Sequence, residues 1–173
     1  GTNTLTWKTA LSVDASGSNG TYGSFSVING SEFNDTLTLS VSDLALTVDT
    51  LGGTDTLRLV GGGTVNVPAL STVSNVERWL FSDSAVYDFI GSENDDHVTV
   101  GTGGGRLLGG AGADTFYLST GADLIAFAAI TESQQDLTQV EFTGDTIHGF
   151  DFSEDQFELP VAIDGDITNN VKV

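Results

Sequence analysis

Aspartates recur at a fixed spacing in the middle of the chain, in a pattern that suits the binding of a cation. Between Gly91 and Ile125, one nine-residue register is shared by Asp96, Gly105, Asp114 and Asp123. An apolar residue follows each of these positions two places later: Val98, Leu107, Phe116 and Ile125. Calcium takes about six to eight oxygen ligands at roughly 2.3–2.6 Å, and carboxylates and backbone carbonyls both supply them. The chemistry that this spacing predicts is therefore calcium binding.

The clearest copy of the repeat is Gly109–Tyr117, which reads G-G-A-G-A-D-T-F-Y. It matches G-G-x-G-x-D-x-U-x, with U a large apolar residue, which is the nonapeptide of calcium-binding β-helices. The x-U-x half of such a unit is a short strand. The other half is a tight turn, because glycine tolerates a positive φ. Two units close one coil, so we expect residues two repeats apart to stack on the same side.

Asp96 and Asp114 are eighteen residues apart and are predicted to lie against one shared calcium ion. The ion would sit between the turns 91–96 and 109–114. The candidate ligands from these two turns are Asp96, Asp114, Gly91, Glu93, Gly110 and Gly112. Asp114 is expected to matter most, because its turn carries the complete motif.

A second candidate site lies on the opposite side of the coil. There Asp123 is predicted to stack on Gly105, a position that has no carboxylate. Gly103 and Gly121 are the candidate turn residues beside it. Because one of the two carboxylates is missing, we expect this second calcium site to be weak or absent.

Residues 91–125 resemble the repeats-in-toxin (RTX, haemolysin-type) calcium repeats of secreted bacterial proteins. The segment Gly144–Phe150, followed by Glu154–Leu159, is similar to the strand pair that commonly follows such repeats. The resemblance implies an all-β fold: a right-handed parallel β-solenoid, part of it a calcium β-roll, with a C-terminal capping segment. It also implies type I secretion and folding that is delayed until the chain meets extracellular calcium.

An internal echo extends the solenoid prediction towards the N-terminus. Gly30–Leu39 parallels Gly91–Val100, and the Asp-Thr-Leu pattern that starts at Asp35 is repeated at Asp55, twenty residues later. The period of about 18–24 residues is typical of one coil per repeat. Asp35 and Asp55 are candidate calcium ligands here. Capping of a turn or strand is at least as good an interpretation, because the full glycine-rich loop is missing.

The chain is expected to form a single β-solenoid domain over residues 1–173, as a fragment of a larger protein. Its predicted parts are Gly/Thr-rich coils at 1–89, an RTX-like β-roll at 90–126 and a C-terminal cap at 127–173. The glycine-free stretch 126–139 suggests a longer excursion with one short helix. The residues expected to cover the open end of the stack are Phe142, Phe150, Phe152 and Phe157.

Composition narrows the classes of partner. The formal net charge is −19, from 24 acidic and 5 basic residues, so the chain repels nucleic acid and anionic lipid. There is no cysteine, which excludes disulfides and thiolate metal sites. No apolar run approaches the roughly 18 residues of a membrane-spanning helix. Bound calcium would relieve the self-repulsion of such an acidic chain.

No catalytic motif stands out, and we expect the protein not to be an enzyme. The two histidines, His97 and His148, lie outside H-E-x-x-H, and no G-x-S-x-G elbow occurs. Trp79 and Tyr87 are predicted to pack in the core, with a sugar-binding platform as the other interpretation.

The predicted function is a calcium-binding structural module of a secreted or cell-surface bacterial protein, of the surface-layer or adhesin type. Two alternatives remain: the non-catalytic tail of a type I secreted hydrolase or polysaccharide-modifying enzyme, and a carbohydrate-binding module. The predicted location is extracellular, at the bacterial cell surface. Expected partners are calcium ions, other copies of the chain or cell-surface polysaccharide.

Overall fold

The computed structural model describes residues 4–6, 8, 12–14, 26–127 and 144–158. Within these ranges the regular elements are sixteen short β-strands and two 3₁₀ turns, Val41–Ala45 and Val67–Ala69. The strands form three sheets in which neighbouring strands are parallel and come from successive coils. The predicted all-β parallel β-solenoid is confirmed.

The three sheets have seven, five and four strands. The seven-stranded sheet, here called the long sheet, contains in spatial order β15 (Thr146–His148), β13 (Thr115–Tyr117), β11 (His97–Thr99), β9 (Arg78–Phe81), β6 (Thr56–Val60), β4 (Thr36–Ser40) and β2 (Ser12–Asp14). The second sheet contains β16 (Gln156–Glu158), β14 (Asp123–Ala126), β12 (Gly105–Leu108), β10 (Tyr87–Ile90) and β7 (Gly63–Asn66). The third sheet contains β1 (Thr4–Thr6), β3 (Val27–Ser31), β5 (Thr47–Leu51) and β8 (Val73–Ser74).

The register of the strands confirms the predicted stacking of repeats. Val98 pairs with Phe116 in the long sheet, and Gly105 pairs with Asp123 in the second sheet. Both pairs are eighteen residues apart, which is two nine-residue units per coil. One short strand on each side of the coil, joined by a glycine turn, therefore accounts for the nonapeptide spacing.

The core lies between the sheets and is filled by alternate residues of each strand. In β10 and β12 the burial alternates residue by residue, so that Phe89 and Leu107 face inward and are fully buried. The buried apolar residues of the long sheet include Leu37, Leu39, Leu57, Leu59, Trp79, Phe81, Val98 and Phe116. This two-residue period is the one that a strand with one buried face requires. Burial of these side chains is the main term that holds the coils together.

The cross-section of the solenoid becomes smaller near its middle. The third sheet ends at β8, whereas the long and second sheets continue through three further coils. The coils before this point repeat every 20 and 22 residues, and the repeat after it is 18 residues. The wider coil therefore has a face that the next coil does not cover. We call this place the step.

The C-terminal coil carries a cluster of aromatic residues. Phe150 stacks on Phe157, with ring centroids 4.5 Å apart, and Phe152 packs edge-on against Phe150 while remaining 77% exposed. Ile147 and Phe150 are partly buried against the core, whereas Phe152 and Phe157 are exposed. Phe142 and most of the predicted helical excursion at 126–139 lie outside the described residues.

Candidate functional site

An acidic residue immediately precedes six successive strands of the long sheet. Because these strands are paired in register, the six residues line up along one side of the solenoid. We call them the acidic column: Asp35, Asp55, Glu77, Asp96, Asp114 and Asp145. Asp35 and Asp55 belong to the N-terminal coils, and the other four residues belong to the middle and C-terminal coils. The column therefore passes through both halves of the chain.

Within the column, carboxylates cap backbone amides of the neighbouring coil. The N–H of Asp35 donates to Asp55 Oδ1 at 2.7 Å, and the N–H of Asp55 donates to Glu77 Oε2 at 2.8 Å. The N–H of Asp96 donates to Asp114 Oδ1 at 2.8 Å in the same way. A carboxylate that accepts a backbone N–H stabilises the turn to which that N–H belongs. One oxygen of each acceptor is thus used in stacking the coils.

The turns of Asp35 and Asp96, which belong to the two similar segments Gly30–Leu39 and Gly91–Val100, have the same internal hydrogen bonds. The N–H of Ser31 donates to Asp35 Oδ2 at 2.7 Å, and the N–H of Ser92 donates to Asp96 Oδ2 at 2.6 Å. Each serine hydroxyl lies 3.0 Å from the same carboxylate oxygen. The Oδ2 atoms of these two aspartates are therefore satisfied inside their own turns, which is the turn-capping role.

Asp114 is different, because Gly110 stands where the other two turns have serine. The Asp114 side chain is 0% exposed, and its Oδ2 has no hydrogen-bond partner among the described residues. A Cβ atom on Gly109 would overlap Asp114 Oδ2, and one on Gly110 would overlap the carbonyl oxygen of Ser92. Because Gly109 and Gly110 have no side chains, a space remains between the two turns, and oxygen atoms of both turns surround it.

Burial raises the pKa of Asp114 to about 7, and the charges of Asp145 and Asp96 add to the shift. The pKa of Asp96 is also raised by burial, although its bonds to Ser92 oppose the change. An ionised Asp114 at neutral pH therefore carries a buried charge with one oxygen unpaired. Such a group needs either a proton or a cation to be stable.

The two turns meet closely, and glycine is required for the contact. A Cβ atom on Gly91 would overlap the carbonyl oxygen of Gly109. Gly110 and Gly112 have φ values of +101° and +118°, which L-residues with side chains rarely adopt. Glu93 is exposed on the outer side of its turn. The predicted turn residues thus lie together, with the glycines inside and Glu93 outside.

The second predicted site contains an equally buried aspartate. Asp123 is 2% exposed, and its carboxylate forms no hydrogen bond of normal geometry within the described chain, although the backbone N–H groups of Gly105 and Ser119 lie close enough to oppose the rise of its pKa. Its N–H donates to Asp155 Oδ1 at 2.9 Å. Burial raises the pKa of Asp123 to about 7, and the nearby charge of Asp155 adds to this. Gly105 contributes no carboxylate to this side of the coil, but Asp155 of the following coil places one beside Asp123.

The turns on this side are also closely stacked. A Cβ atom on Gly103 would overlap the carbonyl oxygen of Ala85, and one on Gly121 would overlap the N–H nitrogen of Gly104. Both glycines therefore allow backbone to approach backbone. This close backbone contact is enough to explain why glycine occupies positions 103 and 121, and no ligand is needed to account for it.

The carboxylates of Asp96 and Asp114 occupy successive intervals between turns. Asp114 faces the turn of Asp96, whereas Asp96 lines a cavity towards the preceding coil. Among the described residues no group of three or more Asp, Glu or His side chains is arranged to hold a metal. A calcium ion between turns 91–96 and 109–114 would therefore take most of its ligands from the backbone.

Of the two N-terminal candidates, Asp55 has the more unusual environment. It is 1% exposed, and its Oδ2 has no hydrogen-bond partner among the described residues. Asp35 has its carboxylate in the Ser31 turn, as described above. Asp55 therefore shares with Asp114 the combination of burial and an unpaired oxygen.

Sequence reasoning missed three acidic residues: Glu77, Asp145 and Asp155. Asp145 begins the same Asp-Thr-apolar pattern as Asp114, so the pattern itself was available as a signal. Its distance from Asp114, 31 residues, hides the relation. Glu77 and Asp155 are followed by Arg78 and Gln156 in place of threonine, and their position is visible only from strand register.

Trp79 and Tyr87 are both 2% exposed and belong to the core cluster. The prediction that they pack in the core is confirmed. Neither residue presents a ring face to solvent, so a flat sugar-binding platform formed by these two rings is not available.

Comparison with known proteins identifies no relative, since no protein-family model, curated protein or solved structure gives a significant match. The resemblance to RTX repeats therefore rests on the residues of 91–125 themselves. Among the described residues, no helix is long and apolar enough to cross a membrane.

In the absence of calcium, the protein is expected to be more stable at pH 5.5 than at pH 7.5. The folded-state pKa values of Asp114 and Asp123 are raised to about 7 from the ordinary 3.8. The folded state therefore holds these protons more tightly, and its stability falls as pH rises from about 4 to about 7. Urea unfolding with a chelator present should show a difference of at least ~1 kcal/mol.

The asparagine variants Asp114→Asn and Asp123→Asn are the matched controls, since asparagine does not titrate. Each should flatten the profile in part, and the double variant should flatten most of it. The lowered pKa of half-buried His97 acts in the opposite direction and reduces the difference slightly. A wild-type profile that rises between pH 5.5 and 7.5 would contradict the assignment of these buried carboxylates.

Proposed function

We propose that this chain is a calcium-stabilised structural module of an extracellular protein, with its principal ion between the turns 91–96 and 109–114. The observation that carries the proposal is the Asp114 carboxylate, which is 0% exposed and has one oxygen without a hydrogen-bond partner in the described structure. Burying a charge without a partner is unfavourable, and a bound cation removes that cost.

The residues present fit calcium better than other metals. The donors are a carboxylate oxygen of Asp114 and carbonyl oxygens such as those of Ser92 and Gly109, which lie beside the glycine positions. Calcium accepts an all-oxygen ligand set with flexible geometry, whereas zinc and copper favour nitrogen and sulfur ligands. When bound, the ion supplies positive charge to the buried carboxylate and joins two turns. The chain contributes the fixed backbone that orients the oxygens.

The overall charge supports the same function. With a net charge of −19, the coils repel one another, and a divalent cation between two of them lowers that repulsion. Extracellular calcium sites typically have dissociation constants of about 10⁻⁴–10⁻³ M. Sites of this strength are empty in the cytosol and filled outside the cell, so the binding free energy would contribute to folding only after export.

A calcium titration followed by calorimetry and circular dichroism tests the proposal. Starting from chelated protein at pH 7.5, calcium should raise the unfolding temperature in a saturable way. At 100 times the dissociation constant the stabilisation is about 2.7 kcal/mol. This corresponds to roughly 5–10 °C for a chain of this size. Magnesium at the same concentration is the control.

The proposal predicts that magnesium has a much smaller effect, because it demands stricter octahedral geometry and gives up its water reluctantly. An unfolding temperature that is identical with calcium and with chelator would overturn the proposal. An equal response to both ions would show a general effect of ionic charge rather than a calcium site.

A further inference from the structure

The outward face of the long sheet differs in charge from the rest of this acidic chain. None of its six strands from β4 to β15 contains an aspartate or a glutamate. The other two sheets have acidic residues within their strands, such as Asp49, Asp88 and Glu158. In the long sheet the acidic column lies before the strands, where most of its carboxylates cap backbone amides. The strands themselves therefore present a face without negative charge.

Basic and aromatic side chains occupy this face on five successive strands. The strand register places Arg78 beside His97 and Tyr117 beside His148, and Arg58 projects from the strand next to that of Arg78. We call these five residues the basic strip. Four of them are exposed, and His97 is half-buried. With neighbouring strands about 4.8 Å apart, the strip extends about 19 Å along the axis of the solenoid.

The two arginines of the strip have no acidic partner. Neither forms an ion pair among the described residues, and the Nε–H of Arg58 donates to the hydroxyl of Ser82. Glu77, at the edge of the strip, accepts the N–H of Asp55 instead. Arg106 of the second sheet, by contrast, lies 2.9 Å and 3.6 Å from two carboxylates. The arginines of the strip therefore keep free N–H donors in the fork geometry that binds a carboxylate.

The aromatic rings of the strip stack on one another. The ring centroids of Tyr117 and His148 are 4.5 Å apart with their planes at 14°, and those of His97 and Tyr117 are 5.0 Å apart. Because the rings cover each other's faces, a ligand can reach mainly their polar edges. The strip thus offers hydrogen-bonding groups rather than a ring face on which a sugar could stack.

The size of the face distinguishes between anionic partners. The six strands cover roughly 300 Å², about 29 Å by about 10 Å, whereas a stable protein interface buries about 800 Å² on each partner. A second copy of the chain therefore gains too little contact to overcome the repulsion between two net charges of −19. Nucleic acid, with one charge per about 1.7 Å of duplex, is repelled still more strongly. A linear polymer with one carboxylate per sugar has a lower charge density and fits the narrow, elongated face.

We infer that the basic strip binds a carboxylated polysaccharide, which runs along the solenoid axis and crosses the strands. Its carboxylates pair with the guanidinium groups of Arg58 and Arg78. Its hydroxyl groups bond to the polar edges of the rings and to the threonines beside them, such as Thr99 and Thr115. The inference goes beyond the proposed function, because no calcium ion takes part in the contact.

Calorimetric titration with oligosaccharides tests the inference, in a calcium-containing buffer that keeps the protein folded. The probes are oligogalacturonates and hyaluronan oligosaccharides, since calcium crosslinks long polyuronates. A cello-oligosaccharide of the same length is the neutral control and should not bind. Heparin oligosaccharides and single-stranded DNA are the comparisons of higher charge density. At least one uronate probe should bind saturably, and its affinity should fall as salt is added, because exposed ion pairs are screened.

Three arginine substitutions locate the binding. Arg58→Gln and Arg78→Gln each remove one exposed charge from the strip and should each weaken binding about threefold, and the double variant should weaken it about tenfold. Arg106→Gln is the matched control, because it removes the same charge from the second sheet, where the guanidinium is already paired. It should leave the dissociation constant unchanged. Circular dichroism confirms that each variant is folded.

Four results would overturn the inference. In the first, no uronate probe gives a heat of binding at millimolar concentrations. In the second, Arg106→Gln weakens binding as much as Arg78→Gln, which would show a general effect of net charge. In the third, heparin or DNA binds and the uronates do not, which would assign the strip to a more highly charged polymer. In the fourth, sedimentation shows self-association that Arg78→Gln abolishes while no sugar binds, which would make the strip an interface between copies.

Discussion

Replacing Asp114 with asparagine is expected to remove most of the stabilisation by calcium while making the calcium-free protein more stable at pH 7.5. Asparagine keeps the size of the side chain but carries no charge. The calcium-free gain follows because Asp114 is buried and its pKa is raised to about 7 by that burial. The loss of calcium response follows because a neutral amide is a much weaker ligand than a carboxylate. The substitution is therefore expected to raise the stability in chelator and to reduce the stabilisation that calcium provides.

Thermal unfolding in chelator and in millimolar calcium measures both effects on the same samples. The calcium-induced shift of roughly 5–10 °C expected for wild type should shrink to a fraction of that value in the variant. Glu154→Gln is the matched control, because it removes one negative charge from an exposed position. If Asp114→Asn and Glu154→Gln respond to calcium equally, the ion is not bound beside Asp114.

Gly91→Ala is expected to destabilise the protein strongly, with or without calcium. A Cβ atom at this position would overlap the carbonyl oxygen of Gly109 on the facing turn, and backbone atoms of a stacked coil have little freedom to move aside. Relieving such an overlap typically costs about 1–3 kcal/mol and occasionally more, so we expect a loss of at least ~2 kcal/mol in the free energy of unfolding. Urea unfolding measures this loss.

Gly52→Ala is the matched control for this substitution. It lies in an equivalent turn of an earlier coil, but the one tight contact of its Cβ atom would be with the carboxylate end of the flexible Glu32 side chain. The change should be within about 0.5 kcal/mol of zero, or slightly stabilising through the unfolded state. Equal destabilisation by Gly91→Ala and Gly52→Ala would mean that the close approach of the turns 91–96 and 109–114 is not specific.

Much of the fold was predictable because glycine and aspartate mark the turns of this solenoid. The pairing of Val98 with Phe116 and of Gly105 with Asp123 follows from the nine-residue spacing alone. The similarity between Gly30–Leu39 and Gly91–Val100 indicated repeated coils, and the turns of these two segments share the same internal hydrogen bonds. Local turn chemistry depends on a few neighbouring residues, so a sequence pattern is sufficient to reveal it.

The features that could not be predicted depend on the lengths of the coils and on which space between stacked turns each carboxylate faces. Asp145 completes the turn of Asp114 from 31 residues away, a distance set by an excursion that the repeat does not encode. The cavity at the step arises because one coil is wider than the next. This difference in width is visible only in the three-dimensional structure. Trp79 was predicted as a core residue, but the approach of its indole to the Asp96 carboxylate depends on the orientation of the ring.

The amide caps of the acidic column share one direction along the chain. Asp55 caps Asp35, Asp114 caps Asp96 and Asp145 caps Asp114, so within the described residues a turn is completed by a coil that comes later in the sequence. Trimming from the front would leave the remaining turns intact, whereas trimming from the back would uncap the last one. Each of these turns is therefore complete only when the coil that follows it in the sequence has packed onto it.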